Sequence, residues 1–329
     1  MYNSKILATG SYLPSKKLTN QDIEKMVDTT AEWIVERTGI EERSVASETE
    51  MTSDLCVNAA KVALQRANLK PEDIDMIIVG TVSGDQVMPS TACMVQAKLG
   101  CRHIFAFDLS AACSGFVYSL SIADQFIKTG MYKNILVIGA ETLTRLVDYN
   151  DRNTSILFGD GAGCVILSRA EEGSESKIYS SHLFADGQLG HLLELKGNAR
   201  PNQLFSDKII EHEFSYIHMN GKEIFKNAVR TLTNCAQMAL DANNIPLDDV
   251  DWFIPHQANM RITESVAKHF KIPNEKVVST IHYTGNTSAA SIPIALDHAV
   301  TDGRIKRGQH ILLSAFGAGL TSGSALLKF

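Results

Sequence analysis

A single offset organises this chain. Ala60-Lys61-Val62-Ala63-Leu64 returns 176 residues later as Ala236-Gln237-Met238-Ala239-Leu240. Carried on without a gap, the same offset sets Asn68-Leu69 on Asn244-Ile245, Glu72-Asp73-Ile74-Asp75 on Asp248-Asp249-Val250-Asp251, and Ile77-Ile78 on Phe253-Ile254. It still holds far downstream, where Ile135-Leu136-Val137 meets Ile311-Leu312-Leu313. Acidic turns before apolar strands are common, so one such match means little. One offset serving two separated segments points to a duplicated unit. The halves are expected at residues 1–170 and 215–329, with 171–214 as a connection or insertion that matches neither.

Within each half, short apolar runs alternate with helical spacing. Strands are expected at 74–79, 104–109, 135–138, 164–167, 250–254 and 311–313, and helices at 51–68, 114–128 and 221–243. That is the α/β pattern. At 329 residues with 44% hydrophobic and 21% charged side chains, the chain can bury a sizeable core. A net charge of -6 argues against a nucleic-acid partner. Six cysteines without a C-x-x-C pair argue against a zinc or redox site, so no metal is expected. No signal peptide is recognised, and the thiols read as reduced in a cytoplasm. No apolar run is long enough to span a bilayer.

Four segments carry chemistry. Phe107-Asp108-Leu109 runs into Ser110-Ala111-Ala112-Cys113-Ser114-Gly115, which sets Cys113 at a strand-to-helix turn. A helix N-terminus there should lower the thiol pKa. His256, in Ile254-Pro255-His256-Gln257-Ala258-Asn259, follows a strand of the second half. Asn286 lies in Gly285-Asn286-Thr287-Ser288, where its amide could donate to a developing oxyanion. Phe316-Gly317-Ala318-Gly319-Leu320-Thr321-Ser322-Gly323 reads as a loop that brings backbone N–H groups to a ligand. Taken singly, the Cys113 turn points to a reactive thiol, whereas the other three read as an ordinary core residue, cap or turn. Together, each follows an apolar strand of a duplicated α/β unit, so they can converge on one edge.

With Trp33-Ile34-Val35-Glu36-Arg37-Thr38-Gly39-Ile40 and Phe158-Gly159-Asp160-Gly161-Ala162-Gly163, these motifs resemble the 3-oxoacyl-[acyl-carrier-protein] synthase III family of thiolase-like condensing enzymes, from Tyr2 to Phe329. The resemblance implies a five-layer α-β-α-β-α fold of two duplicated halves. It implies an acyl-CoA primer condensed with malonyl-ACP, initiating fatty acid synthesis without a further cofactor. Cys113 would accept the acyl group, with the backbone N–H groups of Cys113 and Ala318 as oxyanion hole. His256 and Asn286 would stabilise the enolate.

The resemblance also assigns CoA to Trp33, Arg37, Arg152, Gly221 and Asn259, with the adenine between Trp33 and Arg152. Acyl carrier protein would dock on Lys226, Arg261 and Lys268. A homodimer is implied, in which Met88 shapes the acyl pocket of the neighbouring subunit. Met88 and Ser322, where many relatives carry Phe and Trp, suggest broader primer use. Three rivals stay open on sequence: a sister enzyme priming a secondary metabolite or using a CoA-linked extender, an acyl-CoA thioesterase, and a non-catalytic carrier partner.

Overall fold

The computed structural model describes residues 1–196 and 216–329. Two sheets carry the duplication. The first orders Ser4–Tyr12, Asp160–Arg169, Asn134–Thr142, Met76–Gly80 and Phe105–Leu109 side by side. The second orders Trp252–Pro255, His310–Gly317, Thr321–Lys328 and Lys177–Ala185. Met76 lies opposite Ile135 in a parallel pair, and Trp252 lies opposite Ile311 in another. Both partners of the second pair stand 176 residues after those of the first, so the sequence offset survives as strand register. Helix ends repeat as well. Thr52–Ala67 stops at Asn68 with φ 53°, and Gly221–Asn243 stops at Asn244 with φ 52°. Asn tolerates this left-handed cap because its short polar side chain can bond locally.

Side-chain alternation along each strand decides the layers. Met76, Ile78, Ile135 and Val137 share one core with Phe116 and Leu120 of helix Gly115–Lys128 and with Ile292 and Leu296 of helix Ser291–Thr301. Ile77, Val79, Leu136 and Ile138 point the other way, onto helix Thr52–Ala67. In the second sheet Ile254, Ile311 and Leu313 join the central core, whereas Phe253 and Leu312 pack with helices Gly221–Asn243 and Met260–Phe270. The result is helix, sheet, helix, sheet, helix: the five-layer thiolase-like arrangement. Strands covered on both faces need unbroken apolar sequence, which is why they were legible as runs.

Three strands of these two sheets depart from the expectation. Lys177–Ala185 falls inside the 171–214 connection, yet it pairs antiparallel with Thr321–Lys328 and completes the second sheet. The rest of that stretch from 197, and the expected start of the second half at 215, lie outside the described residues. Ser4–Tyr12 pairs with Asp160–Arg169. Most of the 316–323 loop is strand, because Gly317 and Thr321 are paired across a turn of three residues. Ser322, Gly323 and Ser324 hide that strand from any apolar pattern. No helix among the described residues is long and apolar enough to cross a membrane.

Candidate active site

Cys113 sits on the turn Ala112–Ser114, between strand Phe105–Leu109 and helix Gly115–Lys128. Ala112 takes a left-handed φ of 45° to make that turn. Gly317 explains how tightly it is held. A Cβ on Gly317 would stand 2.6 Å from the Cys113 nitrogen, so only glycine lets the end of strand His310–Gly317 approach. Cys113 is buried, and burial pushes its thiol up to about 12. This reverses the lowered pKa expected from the helix N-terminus. The charged form loses its water, and that cost outweighs what the turn and the Ser288 hydroxyl return.

His256 follows strand Trp252–Pro255 and is buried. Its Nδ1 lies 2.7 Å from the Ser291 hydroxyl, which also accepts the Gln257 N–H at 3.3 Å. If the Ser291 hydroxyl donates to Nδ1, the imidazole carries its proton on Nε2. Burial holds the ring neutral, with a pKa lowered to about 3. The Gln257 side chain braces this corner, donating to the Pro255 and Val278 carbonyls and accepting from the Ser279 hydroxyl and the Thr280 N–H.

Asn286 is fixed at three points. Its N–H donates to the Leu157 carbonyl at 2.9 Å, and its carbonyl accepts the Gly159 N–H at 3.0 Å. Its side-chain Oδ1 accepts the Ser288 N–H at 2.9 Å. Among the described residues the amide NH2 makes no hydrogen bond, which leaves it to donate. Gly285 makes the preceding turn at φ 65°, where a Cβ would meet the Arg43 side chain at 2.8 Å.

Cys113, His256 and Asn286 line one cavity of about 470 Å³, together with Trp33, Arg37, Gly221, Asn259 and Arg261. The arrangement offers a thiol, a neutral imidazole and an amide donor to the same bound group. Asn259 is also occupied structurally: it caps helix Met260–Phe270 and donates to the Arg37 carbonyl at 3.0 Å. Arg152 does not line this cavity. Its guanidinium lies 5.0 Å from the Trp33 ring, and that of Arg37 lies 5.7 Å away. A flat ring stacked between Trp33 and Arg152 needs about 7 Å, twice a van der Waals contact, so Arg152 must swing outward to admit one. Lys226, Arg261 and Lys268 are exposed on the packed helices Gly221–Asn243 and Met260–Phe270.

Cys113 also lines a second cavity, of about 550 Å³. Leu143, Leu146, Phe158, Leu193 and Ile217 make its walls, and Ala318 and Ser288 line it as well. Ala318 is not left-handed, so its Cβ is no obstacle. Met88 is 80% exposed and lines neither cavity of its own chain. Ser322 is turned away, with its hydroxyl 3.6 Å from the Cys235 sulfur. Sequence reasoning missed Asn153, Lys222 and Phe225 of the first cavity and the walls Leu143, Leu146, Leu193 and Ile217 of the second. Lys222 and Asn153 sit beside assigned residues, which was the available signal. The leucines gave none, because a wall and a core look alike in sequence.

Comparison with known proteins agrees with this architecture. The family model described as 3-oxoacyl-[acyl-carrier-protein (ACP)] synthase III matches residues 107–187, and the model of its C-terminal part matches 240–329. A beta-ketoacyl-[acyl-carrier-protein] synthase III 1 of Vibrio vulnificus strain YJ016 is 53% identical over 326 residues, 99% of each chain. The crystal structure of a 3-oxoacyl-[acyl-carrier-protein] synthase III from Aquifex aeolicus VF5 is 48% identical, with a TM-score of 0.91, covering 99% of this chain and 100% of that one. The priming beta-ketosynthase of the R1128 polyketide pathway is 33% identical, with a TM-score of 0.92, covering 99% of this chain and 96% of that one.

Proposed function

Because the chain belongs to the 3-oxoacyl-[acyl-carrier-protein] synthase III family, its reaction is the decarboxylative condensation that starts a fatty acid chain, and we propose that Cys113, His256 and Asn286 carry it out. The observation behind this is that all three line one cavity while Cys113 also borders a second, largely apolar one. The first cavity suits the phosphopantetheine arm of a thioester. The second suits the acyl chain once it is on sulfur.

In the first half-reaction the Cys113 sulfur attacks the thioester carbonyl of an acyl-CoA. The backbone N–H groups of Cys113 and Ala318 hold the oxyanion, and CoA leaves. In the second, malonyl-ACP enters and its carboxylate departs as CO2. The electron pair moves onto the thioester oxygen, where the imidazole N–H of His256 and the amide of Asn286 stabilise it. Donors set in place before the charge develops are worth about 2.7–4 kcal/mol each in acyl transfer. The enolate carbon then attacks the acyl group, freeing Cys113 and giving a 3-oxoacyl-ACP. A neutral His256 suits this role, because it can donate a proton-bearing nitrogen without carrying a buried charge.

CoA would lie along Trp33, Arg37, Gly221 and Asn259, with Arg152 closing on the adenine. Lys226, Arg261 and Lys268 would meet the acidic carrier protein. In a homodimer acting in the cytoplasm, Met88 would reach the neighbouring subunit's acyl pocket. Intact mass after incubation with a panel of acyl-CoAs tests the core of this reading. Wild type should gain one acyl group and Cys113→Ala none. Failure of wild type to acylate from any CoA or carrier-protein donor would overturn it.

A further inference from the structure

Glu141, near the end of strand Asn134–Thr142, is fully buried without a cation beside it among the described residues. Its Oε2 accepts from the Thr81 hydroxyl, the Val82 and Ser83 N–H groups and the Ser83 hydroxyl. Its Oε1 has no hydrogen-bond partner of ordinary geometry among the described residues. A buried carboxylate with one oxygen saturated and the other bare calls for a reason. The Ser288 hydroxyl favours the charged form of both the Glu141 carboxyl and the Cys113 thiol, although among the described residues it makes no hydrogen bond of ordinary geometry to either. Ser288 reaches that position through a left-handed backbone, φ 49°, and lines the second cavity beside Cys113. Its turn, Ser288–Ala290, packs on both the Cys113 turn and the Asn134–Thr142 strand. The strand contact is close: a Cβ on Gly139 would stand 2.1 Å from the Ala289 carbonyl oxygen.

We propose that Ser288 and Glu141 relay the Cys113 proton. As the sulfur attacks the thioester carbonyl, its proton passes to the Ser288 oxygen and the Ser288 proton passes to Glu141 Oε1. The new S–C bond forms and the carbonyl pair moves onto oxygen. When that pair returns, the C–S bond to CoA breaks. The departing sulfur takes the proton back through Ser288, and Glu141 is again a carboxylate. No further reactant is consumed. The relay rests on Cys113 being the nucleophile.

His256 is the other base, lining the first cavity with Cys113, but its imidazole is lowered to about 3 by burial, whereas burial raises Glu141 to about 7. A base poised near neutral pH is the better acceptor. Among the described residues, the titratable groups that couple to Glu141 are the thiols of Cys113 and Cys56; the latter is raised by its own burial and lines neither cavity. Thr81, Ser83 and Thr142 around it are neutral.

The test is the rate of Cys113 acylation by an acyl-CoA across pH, read by intact mass, in Glu141→Gln, Ser288→Ala and the double variant. A nearby negative charge that does nothing else raises the thiol pKa, so removing it would speed acylation. The relay requires the reverse: a loss of about tenfold or more near neutral pH. That deficit should shrink as pH rises, match in size for Ser288→Ala, and not deepen in the double variant. Glu141→Gln acylating as fast as wild type, or faster, overturns the relay. If that variant does not fold, Ser288→Ala decides, and an unchanged rate overturns it. Label persisting in Cys113→Ala would instead overturn the nucleophile itself.

Discussion

Ala112 and Ser288 are one position seen twice. They stand 176 residues apart, both left-handed at φ 45° and 49°, and each opens a short turn ahead of a helix, Gly115–Lys128 in one half and Ser291–Thr301 in the other. The two turns pack on each other. Where the first presents Cys113, the second presents Ala289. Cys113 is thus held by the fold's own internal symmetry.

A non-glycine residue in this region costs about 1–3 kcal/mol. Ala112→Gly should therefore raise stability by about 1 kcal/mol in urea titration while acylation of Cys113 persists. Ala112→Val should lower stability and acylation together, because a branched Cβ fits this backbone worst.

Gly317→Ala would force a Cβ to within 2.6 Å of the Cys113 nitrogen. The Cys113 turn must shift, and a misplacement near 1 Å can cost about a hundredfold in rate. Acylation should fall by about that factor, with a smaller fall in melting temperature than a comparable core clash gives.

Asn286→Ala removes one of the two proposed enolate donors and leaves Cys113 untouched. Condensation with malonyl-ACP should drop about 10²–10³-fold. Acylation by acyl-CoA should stay within a few-fold of wild type. Asn286→Asp should behave likewise, since an ionised carboxylate cannot donate. Following the half-reactions separately by mass checks both.

His256 has a folded pKa lowered to about 3 from 6.5 by burial. Between those values the unfolded chain binds the proton, so stability is present above pH 6.5 and is lost as pH falls toward 3. The slope from this group is about 1.4 kcal/mol per pH unit inside that window. Glu141 works the other way: raised to about 7 from 4.5, it favours the folded state at low pH and loses that contribution as pH rises. The difference between wild type and His256→Gln isolates the histidine. Denaturant titrations should show that gap narrowing from pH 6.5 downward.

Much of this was legible along the chain. The 176-residue offset foretold both the two sheets and the strand register, since Met76 opposite Ile135 and Trp252 opposite Ile311 obey it. Cys113, His256 and Asn286 were identified by motif and meet in one cavity. Glu141, Ser291 and Gly317 were not singled out for a role. In sequence they are a strand glutamate, a helix serine and one glycine among 22. Their importance comes from what lies opposite them.

Apolar runs and helical spacing depend on neighbours a few residues apart, so the chain by itself determined its α/β class, its duplication and the family of its site. Tertiary structure alone decided that Lys177–Ala185 joins the second sheet, that Arg152 rests on Trp33, and that the Cys113 thiol is raised rather than lowered. Burial, pairing and charge stabilisation are set by residues distant in sequence, and only folding brings those together.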